Sequence, residues 1–561
     1  MPNHGDLPDL AATVLQPGFE GTTVPGWVRR WLADGLGGVA LFARNVETPA
    51  QLAALTAQLR AERPDVIVAI DEEAGDVTRL ESRHGSSRPG NLGLGAIDDT
   101  ELTRAVARDL GLELAHAGIT LDYAPDTDVN SNPDNPIIGV RAFGAEPGLV
   151  ARHGAAWIGG LQESGVAACA KHFPGHGDTA VDSHHAVPLI DRSRERLAEV
   201  ELVPFRAAIA AGVQSIMTGH LLVPAYDPEL PATLSRRILT GLLREELGFQ
   251  GLIVTDGIEM QGVRHRYGLE GAAVRALAAG ADAICVGGDH ADEHTAVRLR
   301  DAVIAAVRGG ELSEERLRDA AARVRRLAAW TLETQTAIGA RAVADAAGSA
   351  APRRPGLGGM AGDQRVAGGD AREIVIGGPA DHRVVGDARE IVVGGSAVGQ
   401  AAARRAVKVT TTAAAPELPL SSPPHVVEFA PPRNIAIGAE TPWGVGAPLG
   451  TLLPGTTAVR FSAEDLAGVA EVAGHVLAGA GARPLVLVVR DVHRHRWIAD
   501  ALRDTLAVRP DAIVVEMGVP VAISGGVHLA TYGATRACGQ AAAEIIAGTS
   551  VPRLSAQALA A

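Results

Sequence analysis

The sequence has few cysteines and aromatic residues and no excess of positive charge. Its three cysteines, Cys169, Cys285 and Cys538, lie far apart in 561 residues and form no CxxC pair. Neither a disulfide framework nor a thiolate zinc site is therefore expected. The formal net charge of −14 argues against a general polyanion binder, because nucleic acid attracts basic surfaces. We predict no nucleic-acid partner.

Long hydrophobic runs are also absent. No apolar run reaches the roughly 18 residues that a membrane span needs, so no membrane association is predicted. The N-terminus, MPNHGDLPDL, lacks the basic start and apolar core of a secretion signal, and we expect a cytoplasmic protein. Aromatic residues make up only 3% of the chain, which argues against a polysaccharide groove lined with stacking rings and favours a small substrate.

The first part of the chain, residues 1–335, alternates short apolar β-type runs with helical stretches. Apolar residues make up 47% of the chain and charged residues 21%, as in globular proteins. The β-type runs are nearly continuous in hydrophobicity, as parallel strands buried on both faces are. These runs are 10–17, 37–42, 66–71, 119–125, 166–173, 214–220, 251–257 and 282–288. The pattern predicts the α/β class, with a (β/α)8 TIM-type barrel preferred over a doubly wound sheet.

The second part of the chain predicts a smaller α/β domain with an open sheet. Residues 336–370 include AAGSAAPRRPGLGGMAGDQ and are interpreted as a linker. A near-duplicate follows, DAREIVIGG and DAREIVVGG, which is too short a repeat for a solenoid. Further β-like runs at 482–493 and 510–518 and a helical segment at 534–548 assign residues 371–561 to this second domain.

The stretch KHFPGHGDTAVDSHH, residues 171–185, carries four histidines and two aspartates. His172 and His176 have the spacing of zinc ligands on a helix, but a proline between them would break that helix. The stretch also lacks the GxxxxGK[ST] pattern of a phosphate loop. An acid/base role fits better, because Asp182 can accept a hydrogen bond from His184 and support its charged form.

A carboxylate at a second position completes the predicted chemistry. Asp256 follows four apolar residues in GLIVTDGIEM and is expected at the end of a strand. A carboxylate there can act as a nucleophile toward a sugar carbon. The same residue could instead cap a helix, and the local sequence leaves both roles open.

Several motifs together resemble glycoside hydrolase family 3, in the branch of the bacterial β-N-acetylglucosaminidases. They are GGVALF, VAIDEEAGDVTRL, NSNPDNPIIGVRAFG, KHFPGHGDTAVDSHHAVP and PATLSRRILTGLLREELGFQGLIVTDGIEM. The resemblance covers residue 10 to about residue 335, and the C-terminal part is similar to the second domain of two-domain members. It implies a retaining exo-β-N-acetylglucosaminidase that acts on small cell-wall or chitin-derived saccharides.

The resemblance also implies roles for individual residues. Asp256 matches the nucleophile, His184 the general acid/base and Asp182 the partner of that histidine. Sugar-binding positions of the family match Asp71, Arg79, Arg141, Lys171 and His172. No cofactor and no metal are implied.

Alternatives remain open beside this hypothesis. A histidine acid/base is neutral after donating its proton, so phosphate could replace water as the acceptor, which would make the enzyme a phosphorylase. A metal-dependent barrel hydrolase and a sugar-binding protein without catalysis are further alternatives. The segment Glu73-Ala74-Gly75-Asp76 departs from the family, which usually has an acidic residue, two glycines and an arginine. Asp76 could therefore alter the electrostatics of the sugar site or face away from it.

Three other places in the sequence could contribute to function. His220 could line the pocket or could be a buried histidine bonded to the backbone. The segment 493–496, HRHR, is interpreted as a solvated loop, and Glu516 as a structural carboxylate.

Overall fold

The computed structural model describes residues 7–179, 187–288, 291–349, 396–432, 434, 436–438 and 441–549. The near-duplicated segments at 370–378 and 387–395 lie outside these residues, as do Asp182 and His184. Among the described helices, none is long and apolar enough to cross a lipid bilayer.

The first part of the described chain contains eight parallel strands, and each strand lies within one of the predicted β-type runs. They are β1 (Leu15–Pro17), β2 (Gly38–Leu41), β3 (Ile67–Ile70), β4 (Leu121–Asp122), β5 (Ala167–Phe173), β6 (Ser215–Thr218), β7 (Leu252–Thr255) and β8 (Ile284–Val286). Every residue of these strands is buried, because the sheet is covered on both faces.

The strands follow one another in the order that a barrel requires. Strands β2 to β7 form one six-stranded parallel sheet, and β8 pairs with β1. A bridge from Val254 to Ala283 joins β7 to the segment that leads into β8. Within the described chain, β1 and β2 are neighbours without a continuous ladder. The predicted α/β class is confirmed, with a curled parallel sheet whose carboxyl strand ends meet on one side.

Helices connect these strands and pack outside them. They are α1 (Leu7–Thr13), α2 (Gly26–Ala33), α3 (Pro49–Glu62), α4 (Asn91–Ile97), α5 (Thr100–His116), α6 (Pro147–Gln162), α7 (Arg194–Glu199), α8 (Leu202–Ala210), α9 (Gln261–Tyr267), α10 (Leu269–Ala279), α11 (Glu293–Gly309) and α12 (Glu314–Ser349). A π-helix, Arg237–Glu246, lies between β6 and β7, and 3₁₀ turns occupy Ala43–Asn45, Gly139–Arg141 and Ala232–Leu234. Side-chain caps start several helices, as Thr48 does for α3 and Asp99 for α5.

Two expectations about element boundaries change in the structure. The run 10–17 is a strand only from residue 15, because its first residues belong to α1, whose buried face contributes Leu10 and Ala11 to the core. Helix α12 continues to residue 349, so the first residues of the predicted linker are helical. An alanine-rich sequence has high helix propensity, and this favours continuation of the helix.

The second part contains another sheet of six strands within the described residues. These are β9 (Lys408–Thr411), β10 (His425–Phe429), β11 (Thr457–Phe461), β12 (Leu485–Val489), β13 (Ile513–Glu516) and β14 (Val527–Ala530), in the spatial order β11-β10-β12-β13-β14-β9. Only β9 is antiparallel to its neighbour. The sheet is flanked by α13 (Ala397–Ala406), α14 (Gly446–Leu452), α15 (Ala463–Leu466), α16 (Val472–Val476), α17 (Arg496–Val508) and α18 (Arg536–Ala547). A smaller α/β unit with an open sheet is thus present, while the exact domain boundaries stay a prediction.

Candidate active site

A cavity of about 490 Å³ opens at the carboxyl ends of the strands of the first sheet. Six of the predicted site residues line it: Asp71, Arg79, Arg141, Lys171, His172 and Asp256. Asp71 and Arg79 follow β3, and Arg141 follows β4. Lys171 and His172 lie at the end of β5, and Asp256 follows β7. These places meet because parallel strands have their carboxyl ends on one side. Asp182 and His184 lie outside the described residues, so their roles stay a prediction.

Lys171 is a buried cation held between two carboxylates. Its Nζ donates to Asp71 Oδ1 at 2.5 Å and lies 2.8 Å from Glu73 Oε1. Burial lowers the pKa of Lys171, but Asp71 and Glu73 raise it more, so its pKa lies above the usual value. Lys171 is therefore an ammonium group at neutral pH and a fixed donor in the cavity.

Glu73 links this ammonium group to Arg141. Arg141 donates through Nε to Glu73 Oε2 at 2.9 Å and through Nη2 to Oε1 at 2.8 Å. Burial raises the pKa of Glu73, but Arg141 and Lys171 outweigh it and hold that pKa below its usual range. Glu73 is absent from the predicted site. The sequence signal that could have identified Glu73 is its acidic side chain, two residues after Asp71 in the same loop.

His172 is a neutral imidazole with a hydrogen bond at each ring nitrogen. Its Nδ1 lies 2.8 Å from Asp128 Oδ2, and the other oxygen of Asp128 accepts from the backbone N–H groups of His172 and His176. Burial, followed by the nearby Arg141, lowers the pKa of His172 to about 4. Because Asp128 is the acceptor for Nδ1–H, Nε2 is the acceptor nitrogen of the ring, and it accepts from Arg141 Nη2 at 3.4 Å.

The group of described side chains with spacing suited to a metal is Asp126, Asp128 and His172. His172 and Asp128 are already hydrogen-bonded to each other, whereas Asp126 Oδ2 is buried without a hydrogen-bond partner and lies 3.7 Å from Arg141 Nη2. A guanidinium at that distance repels a second cation. His176 bonds through Nδ1 to Thr179 Oγ1 at 2.7 Å. The contacts therefore favour a hydrogen-bonded network over a metal-ligand set.

Asp256 lies immediately after β7, as the sequence predicts, and is half-buried in the cavity wall. Its N–H donates to Thr218 O at 3.1 Å, and its Oδ1 accepts from Gly257 N–H at 2.7 Å. His220 supports this turn, since its Nε2 donates to Gly257 O at 2.9 Å. His220 is fully buried, and its Nδ1 is hydrogen-bonded to Thr233 Oγ1. It is thus a backbone-bonded histidine behind the Asp256 turn.

Glu259 is a second carboxylate on the same loop that the predicted site does not include. Its Oε1 accepts from the N–H groups of Gly287 and Gly288, at 2.9 and 2.5 Å. Its Oε2 is buried without a hydrogen-bond partner, although Glu259 lines the cavity. Its position three residues after Asp256 is the sequence signal that could have identified Glu259 as a residue of the cavity wall. Glu259 connects the loops that follow β7 and β8.

The second unit contributes to the cavity wall. Ala436 lines the cavity, and its carbonyl oxygen accepts from Arg79 Nη1 at 3.1 Å. Asn434 Nδ2 also donates to Ile137 O at 2.9 Å, and Ile137 is another lining residue. The loop after β10 therefore closes one side of the site.

Asp76 faces the second unit and does not line the cavity. Its Oδ2 accepts from Arg490 Nη2 at 2.6 Å, and its Oδ1 accepts from Ala534 N–H at 2.8 Å. The neighbouring Ala74 has a φ of +58°, in the left-handed region that favours glycine. Of the two interpretations of Asp76 from sequence, the structure shows the one in which it faces away from the cavity.

The remaining candidates of the second unit are structural contacts. His493 Nε2 donates to Pro133 O of the first unit at 2.8 Å, so the segment 493–496 includes an inter-unit contact and is not wholly solvated. Glu516 Oε1 accepts from the N–H groups of Asp491 and Gly518. Burial, followed by the Asp491 carboxylate, raises the pKa of Glu516 to about 8.

Eight parallel strands with carboxylates, cations and a neutral imidazole around one cavity define the class of an α/β enzyme whose site lies at the carboxyl ends of the strands. The model of the glycosyl hydrolase family 3 N-terminal domain matches residues 26–327, more than half of the chain. The chain belongs to glycosyl hydrolase family 3.

Relatives with known names agree with this membership. A β-hexosaminidase of Nitrosomonas eutropha is 40% identical over 284 residues, which cover 49% of this chain and 80% of the relative. A β-hexosaminidase A of Pseudoalteromonas piscicida is 39% identical over 269 residues, but the match spans 44% of this chain and only 45% of that relative. The solved structure of a family 3 β-N-acetylglucosaminidase from Paenibacillus sp. str. FPU-7 covers 97% of both chains at 32% identity, with a TM-score of 0.76.

Proposed function

We propose that the protein is a retaining exo-β-N-acetylglucosaminidase that removes terminal β-linked N-acetylglucosamine from small cell-wall or chitin-derived saccharides. The observation that carries the proposal is the placement of the Asp256 carboxylate in one cavity with Lys171, Arg141 and His172. The names of the β-hexosaminidase relatives and of the Paenibacillus neighbour support the sugar specificity.

The polar groups of the cavity match the hydroxyl groups of one sugar. Asp71 and Glu73 offer acceptor oxygens, and Lys171 and Arg141 offer donors. His172 Nε2 accepts from Arg141 and helps to orient that guanidinium. Because these groups are mutually paired, and all of them except the half-buried Asp71 are buried, they are held in place before the substrate arrives. Such a site binds the terminal sugar and orients its anomeric carbon toward Asp256.

In the proposed mechanism, the Asp256 carboxylate attacks the anomeric carbon while the bond from that carbon to the leaving oxygen breaks. The His184 imidazolium gives its proton to the leaving oxygen, and Asp182 supports the charged ring. His184 then takes a proton from water, whose oxygen displaces Asp256 from the anomeric carbon. Two displacements at one carbon give net retention of configuration.

The decisive experiment compares Asp256→Asn with the wild type on 4-nitrophenyl β-N-acetylglucosaminide. We expect kcat to fall by about 10³-fold or more, because the nucleophile is lost while its shape is kept. Asp301→Asn, on the exposed side of α11, is the matched control and should keep wild-type activity. Near-wild-type turnover by Asp256→Asn would refute the nucleophile assignment.

A companion measurement tests His184 through the leaving group. His184→Ala should slow substrates with alkyl or sugar leaving groups far more than 4-nitrophenyl substrates, since only a poor leaving group needs a proton. The assays are run with and without phosphate, and the anomeric proton of the product is followed by NMR. The product identifies whether water or phosphate accepts the sugar. If sugar 1-phosphate forms, the reaction is phosphorolysis and not hydrolysis.

A further inference from the structure

The loop between β3 and α4, residues 71–90, carries four residues of the cavity wall and also contacts the second unit. Asp71, Glu73, Val77 and Arg79 line the cavity. On the other side, Arg536 pairs with Glu81 at 2.9 Å, and Ala537 N–H donates to Ser86 O at 3.1 Å. We call this segment the β3 loop.

The β3 loop is organised from within by a buried carboxylate. Glu72 Oε2 accepts from Thr78 Oγ1 and from the N–H groups of Arg79 and Leu80, at 3.0, 2.7 and 2.9 Å. These bonds fold residues 72–80 into a compact turn. A displacement at one point of such a turn is transmitted to its other residues.

Asp76 lies at the tip of this turn. The turn closes through Glu73 N–H, which donates to Val77 O at 3.1 Å. Gly75 passes so near Gly90 that an added Cβ would lie 2.9 Å from the Gly90 Cα atom. Asp76 is therefore three residues from Glu73 and three from Arg79, with little freedom between them.

Both oxygens of the Asp76 carboxylate bind the second unit, through Arg490 Nη2 and Ala534 N–H. The two side chains are largely buried, with 3% of Asp76 and 14% of Arg490 exposed. Trp443 packs against the Arg490 guanidinium, with 5.5 Å between Cζ and the ring centroid. We call this pair the Asp76–Arg490 clasp.

We propose that the Asp76–Arg490 clasp makes the second unit a positioning element for sugar binding, because it fixes Glu73 and, through Glu73, Arg141 and Lys171. The proposal rests on the proposed glycosidase function of the cavity. Asp76 and Arg490 are positioning residues, since neither of them lines the cavity that holds Asp256.

The test measures the kinetics of Asp76→Asn and Arg490→Gln in the full chain on 4-nitrophenyl β-N-acetylglucosaminide. Glu73, Arg141 and Lys171 contact the sugar in the ground state and in the transition state alike. Loosening them should therefore raise KM by about tenfold and change kcat by less than about threefold. Arg490→Lys keeps the charge and should give an intermediate KM.

The double variant Asp76→Asn/Arg490→Gln should also raise KM, because the clasp is lost, but by less than either single variant. It leaves no unpaired buried charge, whereas each single variant does. It also carries the test if a single variant fails to fold. The matched control is Arg405→Gln, because Arg405 forms an exposed ion pair with Asp99 at 2.9 Å across the same two units. That variant should leave KM within about twofold of the wild type.

Hydrogen exchange gives a readout that needs no substrate. The backbone amides of residues 72–80 should exchange faster in both single variants than in the wild type and in Arg405→Gln. An unchanged KM, or a changed KM with unchanged exchange in this segment, overturns the proposal. If the wild type cleaves no β-N-acetylhexosaminide, the proposed function fails, and the exchange rates still decide whether the clasp fixes the β3 loop.

Discussion

In the cavity, two cationic side chains share one carboxylate. Lys171 and Arg141 both contact Glu73, and Lys171 has a further partner in Asp71. Lys171, Arg141 and Glu73 are buried, so each depends on its partners to remain charged, while Asp71 is half-buried. The cavity wall therefore presents donors and acceptors whose charges already compensate each other.

This arrangement makes Glu73 a sensitive position. We expect Glu73→Gln to lower kcat/KM by about 10- to 100-fold, because Arg141 loses its bidentate acceptor, and to destabilise the fold by about 3 kcal/mol. Steady-state kinetics and urea unfolding measure the two effects. Glu62→Gln, which alters a partly exposed pair with Arg29, is the control. A kcat/KM within twofold of the wild type would contradict the role of Glu73.

At the scale of single elements, β7 and β13 show how a carboxylate at a strand end can serve different purposes. Asp256 follows β7 and is half-buried in a cavity wall, whereas Glu516 ends β13 and is buried beneath its own loop. The Glu516 oxygen binds the N–H groups that shape the turns after β12 and β13. Similar sequence positions thus lead to a site residue in one sheet and to a structural residue in the other.

The raised pKa of Glu516 predicts a pH dependence of stability. Its pKa of about 8 in the folded state exceeds the ordinary 4.5, so the folded state binds the proton more tightly than the unfolded state. The stability from this group is complete below about pH 4.5 and is lost as the pH rises toward about 8.

We expect Glu516→Gln to remove this loss, because a glutamine can keep the acceptor oxygen and carries no charge. Urea unfolding at about pH 5 and about pH 8 should show a smaller decrease for the variant than for the wild type, by about 1–3 kcal/mol. Equal decreases in the two proteins would show that Glu516 does not titrate in this range.

At the scale of the whole molecule, the cavity is built by both units. The loop after β10 provides Ala436 to the wall. The β3 loop of the first unit lines the cavity and also contacts the second unit. A cavity of about 490 Å³ has the size of a site for a small ligand, not of a groove for a polymer.

This enclosure predicts action at chain ends. With N-acetylglucosamine oligomers as substrates, the enzyme should release single sugars from the non-reducing end, because the cavity accommodates a terminal unit. Mass spectrometry of early time points should show the monosaccharide together with the oligomer shortened by one unit. An early distribution of internal fragments would contradict the exo mode.

Much of the first sheet could be predicted from sequence, since all eight strands lie within the apolar runs. Continuous hydrophobicity is a local property that reports burial on both faces. The elements differ from the expected boundaries at residues 10–13, where α1 occupies part of an expected strand, and at residues 336–349, where α12 extends into the predicted linker. Packing of α1 against the core favours the first difference, and helix propensity favours the second.

The cavity residues were predictable where a residue lies at the end of a strand or directly follows it. Asp71, Lys171, His172 and Asp256 share one cavity because parallel strands align their ends. Glu73 and Glu259 were not predicted, because their positions depend on how long loops fold back. Asp76 could not be placed at all without its partner, since Arg490 is more than four hundred residues away in the chain.

The sequence by itself determined the α/β class, the strand ends that carry the cavity residues and the family to which its motifs point. Only the tertiary structure decided which charges pair, which carboxylates are buried and which loop of the second unit closes the cavity. The physical reason is range: hydrophobic periodicity and strand-end positions are local, whereas ion pairing and burial depend on groups that only the folded chain brings together.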